Sequence, residues 1–232
     1  MPTLHVLRVF TAPDGSGGNP LGVFLDGGAI AATDRQRVAA DLGFSETVFV
    51  DDAGRGACRI FTPVAELEFA GHPSVGTAWL LARERSPVDA LRLLAGEVTV
   101  RRDAQADQTF IAGRPEWAPP FEHFELDSPA AVDALTGSPR GGGLDAAWAW
   151  EDEAAGRVRA RVFPVALGID EDEATGAAAV ILGARLGRPI EIRQGRGSVI
   201  GVRPLGDGRV EIGGRVAIDE VRDYDASGAV AV

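Results

Sequence analysis

The sequence predicts an α+β protein built from two similar halves, and three observations point there. The order of expected elements in the first half is two strands, a helix, two strands, a helix and two strands, and the second half gives a similar series. Short segments also recur about one hundred positions apart: FTPVA at 61–65 matches FPVA at 163–166, and GTAWLLA at 76–82 matches GAAAVIL at 176–182. Between them, RDAQADQ (102–108) is polar and lacks apolar periodicity, which places the junction and divides the chain into halves at 1–105 and 106–232. No low-complexity linker separates them, so the halves are expected to pack closely.

In the first half, strands are expected at LHVLRVF (4–10) and LGVFLDG (21–27). A helix at 34–42 follows, with Thr33 and Gln36 at capping-box spacing and Gly43 as its stop. Next come strands ETVFV (46–50) and CRIFT (58–62), a helix from Pro73 to Arg85, and strands LRLLA and EVTVRR. The second half opens with TFIAG (109–113) and a poorly defined stretch around FEHFEL. A helix at 129–136 ends at Gly137 and is followed by strands AAWAW and RVRARVF. A helix from Gly176 to Leu186 leads to IEIRQ, SVIGVRP and RVEIGGRV.

Composition narrows the function classes. Apolar residues make up 45% and charged residues 25% of the 232, the balance of a globular protein with a sizeable core. No apolar run approaches the roughly 20 residues that span a bilayer. The start, MPTLHVLRVF, has no basic stretch, apolar core and cleavage site in series, so no signal peptide and a cytoplasmic location are expected. The formal charge of −11 repels phosphate backbones and disfavours nucleic acid or an anionic membrane as partner. Cys58 is the one cysteine, so no internal disulfide forms. His5, His72 and His123 show no metal-ligand spacing with it, and no metal site is expected.

The most informative segments are two helix starts, FAGHPSVGTAW (69–79) and EDEATGAAAV (171–180). Pro73 fits the first helical position of one, and Thr175 can cap the other. Unpaired N–H groups and the partial positive charge at such ends attract carboxylates and phosphates. If both helices point into one cleft, a small anion can bind even in an acidic protein. Glu46, at a strand start among apolar neighbours, suits proton transfer if buried, since burial raises a carboxyl pKa. Asp172 precedes a helix start whose dipole favours its ionised form, so the two acids can divide acid and base roles. A second reading stays open: Glu46 as a strand-edge charge and Asp172 as a helix-terminal acid. His72 fits a proton carrier, a donor to a bound carboxylate, or a helix-start residue bonded to backbone. A Ser45–His72–Asp172 hydrolase triad is disfavoured because no G-x-S-x-G elbow surrounds Ser45. QGRGSVIGV (194–202) lies between two strands and matches neither a dinucleotide fingerprint nor a phosphate loop.

Five segments in order, GNPLGVFLD (18–26), FSETVF (44–49), RIFTPVAELEFAGHPSVGTA (59–78), GIDEDEATGAAA (168–179) and QGRGSVIGV (194–202), resemble the phenazine-biosynthesis PhzF-like family of the diaminopimelate-epimerase-like fold. The resemblance implies two pseudo-symmetric halves, each a curled, mostly antiparallel sheet around a central helix, with the active site between them. It also implies an isomerase that needs no cofactor and frequently pairs as a homodimer. By position, Glu46 matches the proton-shuttling glutamate, and His72 and Asp172 match the residues that assist it and hold substrate. Ser45, Gly71, Gly176 and Ala177 fall where substrate carboxylate is bound. Ala177 stands where serine is common, and Glu173, where proline is common, is expected to add negative charge beside the anion site. The expected function is therefore movement of a proton within a small carboxylate, with Glu46 as acid and base. Two rivals accompany it: a carboxylate-binding protein on the same fold without the chemistry, and a thiol epimerase, disfavoured because Cys58 alone cannot supply two thiols.

Overall fold

Long apolar runs in the first hundred residues sort by period two onto the faces of one sheet. In the strands β1 (Thr3–Thr11), β2 (Asn19–Phe24), β3 (Thr47–Asp52) and β4 (Ala57–Phe61), alternate residues belong to different cores. Leu21, Val23, Val48, Val50, Cys58 and Ile60 join the main core, whereas Phe24, Phe49 and Phe61 turn to a second cluster under α1 (Arg35–Leu42). A sheet covered on both faces needs such runs. The computed structural model describes residues 1–225.

After β5 (Glu66–Leu67) comes α2 (Gly71–Glu84), then β6 (Ala90–Leu93), β7 (Gly96–Asp103), β8 (Gln108–Gly113), β9 (Glu122–Glu125) and α3 (Pro129–Asp133). The rest of the chain forms β10 (Asp145–Asp152), β11 (Arg157–Phe163), α4 (Gly176–Leu186), β12 (Ile190–Gln194), β13 (Ser198–Pro204) and β14 (Val210–Asp223). The fold is α+β with a closed, barrel-like sheet. Strands β1-β2-β3-β4-β6-β7-β8-β14 follow one another around a ring that β14 closes onto β1, and β13-β12-β11-β10-β9 extend from β14 as a second leaf. Helix α2 runs inside the ring, buried from Gly71 to Ala78 and packed on β1, β2, β3, β6, β8 and β14. Helix α4 packs on β13 and β14, and the two helices touch. Among the described residues no helix is long and apolar enough to cross a membrane.

Four sequence expectations change in detail. The Thr33–Gln36 capping box does not form: a short 3-10 turn at Ala32–Asp34 precedes α1, and Gln36 Nε2 donates to the Thr62 carbonyl (2.9 Å). Gly43 does end α1, with φ 67°. Pro73 is the third residue of α2 rather than the first; any first-turn position tolerates its missing N–H. The helix expected at 129–136 stops at Asp133 after Ser128 and Pro129 start it, and FEHFEL contains a short strand, β9, parallel to β10. Finally, the strand read as ending at 216 runs on to Asp223, because Arg215–Asp223 pair with β1 and close the ring.

Candidate active site

The two helix starts meet backbone to backbone. A Cβ placed on Gly71 would lie 2.7 Å from Gly176 Cα, and one on Gly176 would lie 2.8 Å from Gly71 Cα. Only glycine permits that approach. It brings the unpaired first N–H groups of α2 and α4 to one place. In front lies a cleft of about 480 Å³ with Asn19, Ser45 and Asp172 in its wall. Pro63 and Val64 come from the loop after β4, and Leu167 and Ile169 from the loop after β11, so the two FTPVA-like segments end at the same opening. Among the described residues no basic side chain lines this cleft, and Glu171, Asp172 and Glu173 stand in its wall.

Beside the helix starts stand the titratable groups. Glu46 immediately precedes β3, with its side chain 16% exposed, and burial pushes its carboxyl up to about 7 against a smaller opposing hydrogen bond from Ser45. His72, the second residue of α2, is buried, and burial lowers its imidazole to about 4. Its Nε2 lies 3.4 Å from Glu46 Oε2, and neither atom has a hydrogen-bond partner among the described residues. The ring also bonds to the Pro20 backbone. Proline offers only a carbonyl there, so the ring donates from Nδ1 and turns the Nε2 lone pair toward Glu46. Burial thus favours the uncharged form of both groups, a carboxylic acid facing a neutral imidazole.

Asp172 is held very differently. Burial and the nearby Glu46 push it up to about 6, while His72, Thr175 and Asn19 pull it down. Its Oδ1 accepts from Asn19 Nδ2 (2.7 Å) and its Oδ2 from Thr175 Oγ1 (2.6 Å). Thr175 does occupy the cap position of α4, but its hydroxyl serves Asp172 instead of capping, and its own N–H is accepted by Gln194 Oε1 (3.2 Å). Glu173 lies in the wall of the cleft, where its charge is held by uncharged donors. Its carboxylate accepts from the Arg196 N–H (2.8 Å) and Ser198 Oγ (2.9 Å), which ties it to the turn after β12. Glu171, also at the cleft, is neutralised by a two-pronged pair with Arg161 (2.8 and 2.6 Å).

Ser45, Glu46, Gly71, His72, Asp172 and Gly176 thus come together. The Ala177 side chain packs with Phe121, Ala146 and Val162 in an apolar cluster. Cys58 lies in the main core, where burial pushes its thiol up to about 12, so it is not a proton carrier for the cleft. Asn19 and Gln194 were not singled out from sequence. A usable signal existed for Gln194: in IEIRQ it shares the face of Ile190 and Ile192, all three buried. For Asn19, a polar residue opening an apolar strand, nothing in the residue order marks its burial.

A curled ring thus surrounds a buried helix, and a paired acid and imidazole stand at the start of that helix. The chain belongs to the PhzC-PhzF family, described as phenazine biosynthesis-like protein, whose model matches residues 7–138. It is an isomerase of the PhzF type: trans-2,3-dihydro-3-hydroxyanthranilate isomerase of Pseudomonas chlororaphis is 33% identical over 216 residues, covering 77% of this chain and 78% of that enzyme. Solved structures agree on the fold. A phenazine biosynthesis PhzC/PhzF protein from Clostridium difficile matches with a TM-score of 0.78 at 19% identity, covering 97% of this chain and all of that one. A PhzF-family protein from Enterococcus faecalis matches at 0.72 and 22% identity, covering 95% and 97%.

Proposed function

We propose that this isomerase moves a proton from one carbon to another within a small carboxylate, with Glu46 removing and returning it. The observation that carries this reading is the unpartnered pair of Glu46 Oε2 and His72 Nε2, buried 3.4 Å apart beside the cleft. A buried acid with no competing donor on that oxygen can take a proton from carbon when ionised and give it back when protonated. Its value of about 7 makes both forms available near neutral pH, the condition for efficient acid–base catalysis. His72 lies where it can accept the proton from Glu46 between the two carbon steps. The N–H groups at the meeting helix ends, with Ser45, hold the substrate carboxylate. The curated relatives are named for a cyclic amino-carboxylate, which makes that compound the first to try.

The test is deuterium incorporation from solvent into a panel of small carboxylates, cyclic dienoic and amino acids included, with the native protein and with Glu46→Gln. Label should enter one compound with the native protein, and the variant should lose about 10²–10⁴-fold in rate. Full turnover by Glu46→Gln on that compound rejects Glu46 as the base.

A further inference from the structure

Each donor to the Asp172 carboxylate is itself fixed by a further hydrogen bond. Asn19 Nδ2 donates both to Asp172 Oδ1 (2.7 Å) and to the Ala174 carbonyl (2.9 Å). A carbonyl can only accept, so the amide cannot flip, and its Oδ1 is left to accept from Ser45 Oγ (3.4 Å). The Thr175 hydroxyl is fixed in the same way. Gln194 Nε2 donates to Thr175 Oγ1 (3.0 Å) and to the Asp172 carbonyl (2.9 Å), which directs the single Thr175 proton to Asp172 Oδ2 (2.6 Å). Asn19 and Gln194 are both almost fully buried, and they reach Asp172 from β2 and β12, on either side of it.

We infer that Asn19 and Gln194 are positioning residues that fix two donors on Asp172, hold it as the anion of the acid pair, and leave the exchangeable proton to Glu46 and His72. The inference rests on the proton-transfer reading for its use, but the protonation pattern stands on geometry alone. A carboxylate with both oxygens receiving fixed donors resists protonation, because a proton would have to displace a hydrogen bond that cannot turn elsewhere. Glu46 has no such support on Oε2. The charged or titratable groups around Asp172 are few. Glu46 and His72 face it from the start of β3 and from α2, Glu171 is paired with Arg161, and Glu173 is bonded to the turn at 196–198. Asn19, Thr175 and Gln194, which complete the surroundings, carry no charge. Ser45 links the two acids. Its hydroxyl lies within reach of Glu46 and donates to Asn19 Oδ1 (3.4 Å).

Carboxyl ¹³C NMR titration of the full chain tests this without any substrate, with Asp172→Asn and Glu46→Gln used to assign the two resonances. The native protein should show Asp172 titrating below Glu46. Asn19→Leu should raise the Asp172 midpoint by about one pH unit, the loss of one charge-assisted hydrogen bond. Gln194→Met should move it in the same direction by less, since Thr175 keeps its hydroxyl but loses its guide. In the deuterium assay the acid limb of the rate profile should move up with the Asp172 midpoint, which a merely structural residue would not do. Asp172 titrating above Glu46 in the native protein overturns the inference. So does an unmoved Asp172 midpoint in folded Asn19→Leu, or in Gln194→Met should the first variant not fold. Because the titration needs no turnover, failure to find a substrate leaves this result standing and separately weakens the proposed function.

Discussion

The two helix starts each open on a glycine and differ in how their acids are held. At α2, His72 and the adjacent Glu46 face each other with unpartnered atoms. At α4, Asp172 has both carboxylate oxygens bonded and its main-chain carbonyl and N–H bonded as well, to Gln194 and to the Val162 carbonyl. A buried polar atom without a partner costs free energy, and such atoms cluster where a ligand or a proton in transit completes them. The difference shows how one fold can hold two acids close together and keep them distinct: one is left unsatisfied and mobile in charge, the other is over-determined.

The sharpest way to break this contrast is to neutralise each acid in turn. Glu46→Gln should lose about 10²–10⁴-fold in proton exchange while the fold is unharmed, since the new amide can donate to His72 Nε2. Asp172→Asn should lose activity and stability together. Its amide nitrogen must face one of two donors that cannot rotate away, leaving a buried donor unmatched at a cost of about 1–3 kcal/mol. Thermal melts of both variants decide it. Equal stability losses would mean that the two acids are held alike.

A second break targets the contact that brings the starts together. Gly71→Ala would set a methyl 2.7 Å from both Gly176 Cα and Ile212 Cδ1, and Gly176→Ala meets Gly71 Cα and the same Ile212 carbon at 2.8 Å. Backbone cannot step aside cheaply, so each should cost about 2–3 kcal/mol and separate His72 from Asp172. Gly137→Ala, with nothing within 4 Å of the added carbon, is the control and should melt unchanged. If Gly71→Ala also melts unchanged, the helix ends are not in contact in solution.

How much of this could be read from residue order follows from how local each cause is. Helix α4 lies where the sequence places it, from Gly176 to Leu186, because glycines flank a continuous apolar run and Gly187 adopts the left-handed φ that ends it. The titratable residues Glu46, His72 and Asp172 lie where the sequence places them, Glu46 just before a strand and His72 and Asp172 at two helix starts. The end of β14 was not. Its AIDEVRD stretch is largely polar, and it becomes a strand only because β1, some two hundred residues away, supplies the ladder. Asn19 was missed for the same reason: its partners are Asp172 and Ala174, more than 150 positions distant, and neither burial nor pairing at that range leaves a local trace.

The finest test of the contrast reads the two starts through stability against pH. Burial raises Glu46 from 4.5 to about 7, so the native state holds a proton that the unfolded chain has lost, and stability falls as pH rises through that window. Asp172, raised from 3.8 to about 6, acts in the same direction at lower pH. His72 opposes both. Lowered from 6.5 to about 4, it stays neutral in the native state while the unfolded chain takes up a proton, so its contribution is lost as pH falls from 6.5 to 4. Below pH 6.5 the three windows overlap and partly cancel, whereas near neutrality Glu46 alone is still titrating. Melting curves of the native protein and Glu46→Gln between pH 5 and 8 should therefore diverge with rising pH. The variant should become the more stable by on the order of 1 kcal/mol, since a pKa displaced tenfold in proton affinity is worth about 1.4 kcal/mol before relaxation and partial exposure reduce it. A difference that stays flat across the range would mean that Glu46 titrates as an ordinary carboxylate, and the α2 start would then be as well satisfied as the α4 start.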